Sequence, residues 1–320
     1  MSVVCSGSVA YDYLMSFPGY FRDHILPEQI DCLSLSFLVD TMVKQRGGTA
    51  PNIAYTMALL GEKPRLVATV GEDFEEYRNW LESKGIDTTY VRVVAGKYTA
   101  SFFANTDLSN AQICTFYTGA MANASEVSIK EIQPKPEMVI ISPDDPLAMK
   151  SHAEQCVELG VPYLYDPSQQ VVRLDAESLR EGVEGAHSLF VNEYEFNLLQ
   201  KHTGLTPKAI QDKVTFMVVT CGKRGAVVYA DGKEFQIKTV PPRALVEPTG
   251  VGDAFRAGFV VGYRRGFDWQ TCGQMGALAA TYVLEQRGTQ SHFYTPEDFV
   301  NRYRENFDDQ GVLDALLVAF

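Results

Sequence analysis

The segment EPTGVGDAFRAGF, residues 247–259, carries the strongest local signal in the sequence. Glycines at a helix start let successive backbone N–H groups converge on one point, where the helix dipole adds partial positive charge. The segment therefore predicts an anion-binding helix N-terminus formed by Gly250, Val251 and Gly252. Asp253 would lie beside that anion, as a general base does when it deprotonates an alcohol next to a transferring phosphoryl group. A plain capped helix start is the alternative that the spacing alone leaves open.

Two other nucleotide-binding patterns do not fit this segment. A dinucleotide fingerprint requires glycine or alanine at its sixth position, where this chain has Phe255, and it opens an early strand–helix–strand unit rather than a helical C-terminal region. The P-loop pattern G-x-x-x-x-G-K-[ST] occurs nowhere in the sequence. The glycines are thus not explained by either motif.

Strand-like and helix-like runs alternate over most of the chain before Gly250, and the remainder is almost entirely helical. Alternation of this kind predicts an α/β fold with a doubly wound, mostly parallel sheet. We expect residues 1–320 to form a single domain. The clearest predicted strands are RLVATVG (65–71), MVIIS (138–142), PYLYD (162–166), SLFVN (188–192) and TFMVVTCG (215–222).

Two regions, 11–46 and 98–118, depart from this alternation of strand-like and helix-like runs. The second reads as two strands joined by the turn DLSN. In the first, the stretch LSLSFLVD (33–40) alternates Leu33, Leu35, Phe37 and Val39 with other residues, which predicts a strand with one packed face. We expect both regions to form a small antiparallel β lid beside the main sheet.

Composition excludes several classes of function. The formal net charge of −12 and the absence of a basic stripe argue against nucleic acid or an anionic membrane surface as a partner. The six cysteines are scattered without C-x-x-C spacing, so neither a zinc site nor a disulfide framework is expected. Neither a signal peptide nor an apolar run of about 18 residues is visible, and we expect a soluble cytoplasmic protein.

Taken together, several motifs resemble one family. PTGVGDAFRAGF resembles the C-terminal signature of the ribokinase-like (PfkB) carbohydrate and nucleoside kinases, and the resemblance runs nearly end to end. It is greatest to bacterial adenosine kinases of the actinobacterial type, through SLSFLVD, FYTGAM, DPSQQ and the signature itself. Further matching pieces in the expected order are GSVAYD (7–12), GGTAPN (47–52), NEYE (192–195) and TCGKRG (220–225).

The resemblance implies ATP-dependent phosphorylation of the 5′-hydroxyl of a ribonucleoside, adenosine above all. It makes Asp253 the catalytic base, and Gly250 through Asp253 the site of the γ-phosphate. Asp12 matches the aspartate that grips the ribose, and a carboxylate suits a cis-diol because it can accept from two hydroxyls at once. A solvated acid at a strand end is the alternative for Asp12.

The resemblance also implies the remaining nucleoside contacts. Phe102 and Phe116 match aromatic residues that stack on the purine, although aromatic residues on strands are also typical of a core. Asn52 matches a sugar-contacting asparagine and would otherwise cap a helix. The other implied contacts are Ser8, Ser36, Gly47, Gly48, Gln169 and Gln170, with Ser36 reaching in from a partner's lid.

For the nucleotide, the resemblance implies ATP with Mg²⁺, held largely through waters by Glu195 of the N-x-x-E motif that begins at Asn192. Thr220, Gly222 and Gly225 match the loop after the nucleotide-binding strand. A helix cap and a β-turn are the structural alternatives for these two motifs. An activating K⁺ is also implied, but Glu247 stands where the family has aspartate, and its longer side chain changes that site.

Two rival functions remain at this stage. One is another kinase of the family, acting on ribose, fructose or a different nucleoside; Phe102 and Phe116 argue against a bare sugar. The other is a non-catalytic nucleoside-binding protein, against which an intact Asp253 argues. The resemblance further predicts a homodimer that forms through the lid.

Overall fold

The structure is a computed structural model and describes residues 3–25 and 34–318. Within these ranges the chain forms a nine-stranded sheet and a separate four-stranded sheet. In chain order the strands are β1 (Val3–Ser6), β2 (Ala10–Ser16), β3 (Thr41–Gly47), β4 (Arg65–Val70), β5 (Asp87–Val93), β6 (Ala100–Thr106), β7 (Gln112–Tyr117), β8 (Met138–Ile141), β9 (Tyr163–Tyr165), β10 (Ser188–Asn192), β11 (Phe216–Thr220), β12 (Ala226–Ala230) and β13 (Lys233–Ile237).

The helices lie mostly between strands of the larger sheet or after it. They are α1 (Thr49–Leu59), α2 (Glu75–Ser83), α3 (Pro146–Leu159), α4 (Ala176–Glu184), α5 (Glu193–Thr203), α6 (Pro207–Gln211), α7 (Val251–Arg264), α8 (Trp269–Leu284) and α9 (Pro296–Asn306). Among the described residues, no helix combines the length and the hydrophobicity needed to cross a membrane.

The nine-stranded sheet is mostly parallel, in the order β13-β12-β11-β10-β9-β8-β1-β4-β5. Only β12 and β13 pair antiparallel with their neighbours. Both of its faces are covered: along β1, Val3 and Cys5 belong to one buried cluster and Val4 to the other. Helices α1, α7 and α8 supply the first cluster, and α3, α4 and α5 the second. The predicted doubly wound fold is confirmed.

The four-stranded sheet, called the lid below, has the order β3-β2-β6-β7. Its β2–β3 and β6–β7 pairs are antiparallel, while the central β2–β6 pair is parallel. The predicted hairpin at 98–118 is confirmed as β6 and β7. In the turn between them, the Asp107 carboxylate accepts hydrogen bonds from the backbone N–H groups of Ser109 and Ala111.

The strand predicted over 33–40 is wrong in its described part. Residues 34–39 have no regular secondary structure, and the strand begins only at Thr41; Leu33 lies outside the described residues. Phe37 packs against the rings of Phe17 and Phe21, with centroids 5.0 Å apart in each case. Phe37 therefore belongs to an aromatic cluster inside the lid, whereas Leu35 is exposed, so the apolar alternation does not mark a paired strand.

Candidate active site

A cavity of about 500 Å³ lies where the lid meets the carboxyl ends of the parallel strands. It brings together most of the side chains predicted to bind a nucleoside. The predicted residues that line it are Ser8, Asp12, Gly48, Asn52, Phe102, Phe116, Gln169, Gln170, Gly250 and Asp253. Residues remote in the chain, from the first strand to the last third of the sequence, thus converge on one space.

Helix α7 begins at this cavity without a side-chain cap. Gly250 is the N-cap residue and has a left-handed conformation with φ +78°. A Cβ there would lie 2.8 Å from the Thr289 side chain, so the position requires glycine for both reasons. Since no side chain caps the helix, N–H groups of its first turn, including that of Gly252, remain available to an anion, while the Val251 N–H donates to the Pro248 carbonyl oxygen at 3.4 Å. This arrangement favours the anion site over the capped helix start.

Asp253 lies in the first turn of α7 and is only 9% exposed. Its Oδ2 accepts a hydrogen bond of 2.8 Å from Asn52 Nδ2. Burial raises the pKa of Asp253 above its ordinary value and Glu195 raises it further, whereas Arg256 and the Asn52 hydrogen bond oppose the shift. A carboxylate with a raised pKa suits proton transfer, because its affinity for a proton approaches that required at neutral pH.

Asp12 and the two predicted stacking residues form one row across the lid. Asp12 on β2 pairs with Phe102 on β6, and Phe102 pairs with Phe116 on β7. Residues directly opposite one another point to the same face of a sheet. The row therefore presents a carboxylate and two phenyl rings to the cavity side by side, instead of burying the rings in a core.

Burial raises the pKa of Asp12 to about 6, and the negative charge of Glu247 contributes to the shift. Gly47 does not line the cavity but makes room for this carboxylate: a Cβ there would lie 2.6 Å from Asp12 Oδ2. Glu247 Oε2 accepts from the Gly288 N–H at 3.1 Å, which leaves its other oxygen as the anionic ligand it would offer K⁺.

The hinge between the lid and the core is close-packed. Gly48 has φ +95°, and a Cβ at this position would lie 2.4 Å from the Ser8 carbonyl oxygen. The neighbouring Thr49 N–H donates to Ser8 Oγ at 3.4 Å. A side chain at Gly48 would thus push β2 away from the start of α1, so this glycine is needed for the turn.

The residues predicted to bind ATP lie at the same edge of the larger sheet. Asn192 at the end of β10 pairs with Thr220 at the end of β11. Gly222 and Gly225 follow in the turn between β11 and β12, where a Cβ at Gly225 would lie 1.9 Å from a carbonyl oxygen of β13. The connection from β11 to the antiparallel β12 is a single 3-10 turn, Gly222–Arg224, which is close to the β-turn alternative. None of these four residues lines the 500 Å³ cavity.

Asn192 and Glu195 form a capping box at the start of α5, as the structural alternative predicted. Glu195 Oε2 accepts from the Asn192 N–H at 2.8 Å and its Oε1 accepts from Ser168 Oγ at 3.2 Å. A carboxylate that is already hydrogen-bonded suits a hydrated Mg²⁺, which keeps several of its waters, better than direct ligation. Residues 3–25 and 34–318 contain no cluster of three potential metal-binding side chains.

Two of the predicted nucleoside contacts, Gln170 and Ser36, differ in burial and in whether they line the cavity. Gln170 is 5% exposed, and its Oε1 has no hydrogen-bond partner, so a polar acceptor is left for a ligand at the cavity wall. Ser36 is exposed and does not line the cavity of its own protomer. Its predicted role therefore depends on a second copy of the chain.

Sequence reasoning missed several residues at the site. Gln290 donates from Nε2 to Asn52 Oδ1 at 2.7 Å and to the Tyr77 hydroxyl at 2.5 Å, which fixes the amide that contacts Asp253. Asp166 and Arg256 form a buried ion pair beside Asp253. Both lie inside motifs already quoted, DPSQQ and GVGDAFRAGF, but neither motif indicates the pairing. Further lining residues that were not predicted are Thr49, Met121 and Thr249, which lie inside quoted motifs, and Arg173 and Thr289, which no quoted motif contains.

Comparisons with known proteins agree with this geometry. Residues 10–296 match the family described as pfkB family carbohydrate kinase. A protein named nucleoside kinase from Methanocaldococcus jannaschii is 28% identical over 311 residues, which cover 95% of this chain and 97% of that protein. Another of the same name, from Methanothermobacter thermautotrophicus, is 31% identical and covers 93% and 94%. The structure of Burkholderia thailandensis nucleoside kinase with inosine superposes with a TM-score of 0.85 at 35% identity, covering 96% and 98%.

Proposed function

The chain belongs to the pfkB family of carbohydrate kinases, and we propose that it is an ATP-dependent kinase that phosphorylates the 5′-hydroxyl of purine nucleosides, adenosine among them. The observation that carries this proposal is the row of Asp12, Phe102 and Phe116, which faces the same cavity as Asp253. A bare sugar depends more on hydrogen bonds than on stacking faces, whereas a purine stacks on aromatic rings.

The relatives support the nucleoside rather than the sugar. The M. jannaschii and M. thermautotrophicus proteins are both named nucleoside kinases, and the B. thailandensis enzyme was solved with inosine and also with ADP-inosine. An adenosine kinase from Sinorhizobium meliloti shares the fold at 19% identity. Inosine and adenosine are both purine nucleosides and differ at C6 of the base. We therefore propose purine nucleosides as the substrate class, with adenosine as the member implied by the sequence motifs.

In the proposed reaction, Asp12 accepts hydrogen bonds from the ribose diol and the two phenylalanines hold the base. The 5′-hydroxyl then lies next to Asp253, whose Oδ2 is oriented by Asn52. Asp253 takes the hydroxyl proton while the oxygen attacks the γ-phosphorus of ATP. The bond to the β–γ bridging oxygen breaks, and ADP leaves.

The first turn of α7 receives the negative charge of the transferring phosphoryl group. Its uncapped N–H groups and the helix dipole stabilise charge that develops on the equatorial oxygens. When bound, Mg²⁺ would neutralise charge on the phosphates of ATP, held through waters by Glu195. We propose the cytoplasm as the compartment, because the reaction consumes ATP.

We also propose that two copies associate through their lids. The lid carries many exposed apolar side chains on β3, β7 and the segment before β3, and contiguous apolar surface is typical of an interface. A C₂ dimer is the commonest closed arrangement, and in it Ser36 of one copy would approach the partner's cavity. The exposed residues are Leu35, Leu38, Met42, Val43, Ile113 and Tyr117.

A panel of acceptors tests the proposed function. ADP formation is measured with Mg·ATP and adenosine, inosine, guanosine, cytidine, ribose or fructose, each with product identification by phosphorus NMR. We expect 5′-monophosphates of the purine nucleosides at the highest kcat/KM. Faster turnover of ribose or fructose would instead make the chain a sugar kinase of the family, and no turnover of any acceptor would support a binding protein.

A further inference from the structure

Arg256 lies one turn after Asp253 on α7, and only 10% of its side chain is exposed. Asp166, which follows β9, is its partner and is 1% exposed. Arg256 Nε lies 2.5 Å from Asp166 Oδ2, and Nη2 donates to Oδ1 at 2.7 Å. Only the Nη2–Oδ1 contact is a hydrogen bond, and the Nε–Oδ2 contact is an ion pair without hydrogen-bond geometry. Together they restrict the orientation of the planar guanidinium. The remaining nitrogen, Nη1, is thus aimed by the pair.

Nη1 of Arg256 lies 3.6 Å from Asp253 Oδ1. Nη1 has room at this place because residue 252 is glycine: a Cβ there would lie only 2.7 Å from Nη1. Asp253 Oδ2 is held on its other side by Asn52. The two oxygens of the carboxylate are therefore approached by different elements, an amide from α1 and a guanidinium from α7.

The charges around Asp253 explain why a cation is needed. Asp166 after β9 and Glu195 on α5 are negative, and Asn52 on α1 is neutral. Arg256 is the cation that opposes the upward shift of the Asp253 pKa. Arg173 also lines the cavity. Burial lowers the pKa of Arg256, but Asp166 and Asp253 outweigh this effect and raise it, so the guanidinium stays charged. Without that charge, burial and two acidic neighbours would favour a protonated Asp253, which cannot accept a proton.

We propose that Arg256, clamped by Asp166, is a positioning residue that holds the Asp253 carboxylate charged and turned toward the cavity. The inference rests on the proposed function, in which Asp253 is the base. It also assigns a second role to Gly252, which leaves room for the guanidinium as well as exposing its own N–H. Asp166 acts on the reaction only through Arg256.

The test uses the metal-free, ligand-free protein labelled with ¹³C at aspartate carboxylates, with the Asp253 signal assigned from an Asp253→Asn spectrum. We expect Arg256→Met to raise the pKa of Asp253 by about one unit or more, because an opposite charge within a few ångströms shifts a carboxyl by that amount. Arg256→Lys keeps the charge and should restore most of the shift. In turnover assays, the acid limb of kcat should move to higher pH in Arg256→Met, with a smaller change in KM.

Two further variants separate positioning from simple loss of stability. Arg302→Met breaks a similar buried pair with Glu285, whose side chains are 4% and 9% exposed and do not line the cavity. It should lower the Tm but leave the pKa of Asp253 unchanged. The double variant Asp166→Asn/Arg256→Met removes both charges and should recover stability while the pKa of Asp253 stays raised.

An unchanged Asp253 pKa in Arg256→Met and in the double variant would overturn the proposal, whatever happens to Tm. The NMR measurement needs no turnover. If the acceptor panel fails while the pKa shifts as expected, the proposed function is wrong but the clamp stands. If the panel succeeds and the pKa does not move, the function stands and the clamp is wrong.

Discussion

The two sheets of the molecule differ in how their strands are covered. All four residues of β1 in the nine-stranded sheet are buried, whereas all six residues of β7 in the lid are exposed. The larger sheet is held by its own helices on both faces. The lid has one face toward the cavity and leaves much of its apolar surface uncovered. The first sheet is therefore covered within one chain, whereas the lid has apolar surface that we propose a second copy covers.

This difference suggests that the two sheets contribute different functions to the site. Asp253 and Asp166 belong to the edge of the covered sheet and its helices, where burial fixes their geometry. Asp12, Phe102 and Phe116 belong to the lid. We therefore expect changes at the sheet edge to act on kcat, and changes on the lid to act on KM and on the choice of substrate.

The largest effect is expected at the sheet edge. Asp253→Asn keeps the size of the side chain but removes the base, so kcat should fall by about 10²-fold or more while adenosine still binds. Steady-state kinetics and calorimetric titration with adenosine measure the two quantities. Asp268→Asn is the matched control, since Asp268 caps α8 outside the cavity. Near-normal turnover of Asp253→Asn would show that the sheet edge does not carry the chemistry.

On the lid, Phe102→Ala and Phe116→Ala should weaken the binding of purine nucleosides by roughly 1–3 kcal/mol each, the contribution of a stacked base. Ribose, which has no base, should be affected much less. Phe103→Ala is the control, because Phe103 lies next to Phe102 on β6 but stacks on Tyr13, with centroids 4.8 Å apart. Equal losses for ribose and adenosine would instead make Phe102 and Phe116 core residues of the lid.

The sequence predicted the covered sheet well. Strands β4, β8, β9, β10 and β11 all lie within the predicted segments. A strand buried on both faces is a short continuous apolar run, and such a run can be recognised in the sequence without knowledge of the tertiary structure. The segment before β3 was predicted wrongly because apolar alternation does not by itself provide a neighbouring strand: Phe37 packs into a local aromatic cluster and Leu35 is exposed.

For the site, family motifs indicated most of the residues that line the cavity, but the partners that orient them were missed. Arg256 and Asp166 are 90 positions apart, and Gln290 and Asn52 are 238 apart. Nothing in a local pattern distinguishes an arginine that pairs with a remote carboxylate from one on a solvated helix face. Such contacts follow only from the packing of the whole fold.

A second copy should complete the lid. Leu38→Asp places a charge at a residue that is 85% exposed in the single chain. We expect it to weaken the proposed dimer by about tenfold or more and to raise KM for adenosine, with sedimentation velocity at assay concentration as the measurement. Phe37 is unsuitable for this test because it packs inside the lid. Leu147→Asp, on α3 and 69% exposed, is the control. A fully active wild-type monomer would contradict the dimer and the role of Ser36.

The smallest expected effect concerns the stability of the lid. Burial, with Glu247, raises the pKa of Asp12 from 3.8 to about 6, so the folded protein holds this proton more tightly than the unfolded chain. Its contribution to stability is therefore fully present below about pH 4 and is lost as the pH rises through about 6. At pH 8 the ionised carboxylate is a cost, and Asp12→Asn should raise the free energy of unfolding by about 1–2 kcal/mol. The gain should shrink toward pH 4, while adenosine binding is weakened at every pH.

Asp107, in the turn between β6 and β7 of the lid, has a pKa that is shifted in the opposite direction to that of Asp12. Burial raises its pKa, but hydrogen bonds from Ser109, Phe21 and Ala111 outweigh that effect and hold it at about 2. Its stability contribution is present above the unfolded pKa and is lost only as the pH falls toward 2, so Asp107→Asn should lower the Tm at pH 8. Thermal unfolding of both variants between pH 4 and 8 measures the pair. If both changes shifted the Tm in the same direction, Asp12 would stabilise the fold as an ordinary structural acid does. The proposed role of Asp12, in which its carboxylate is hydrogen-bonded only by a bound diol, would then be contradicted.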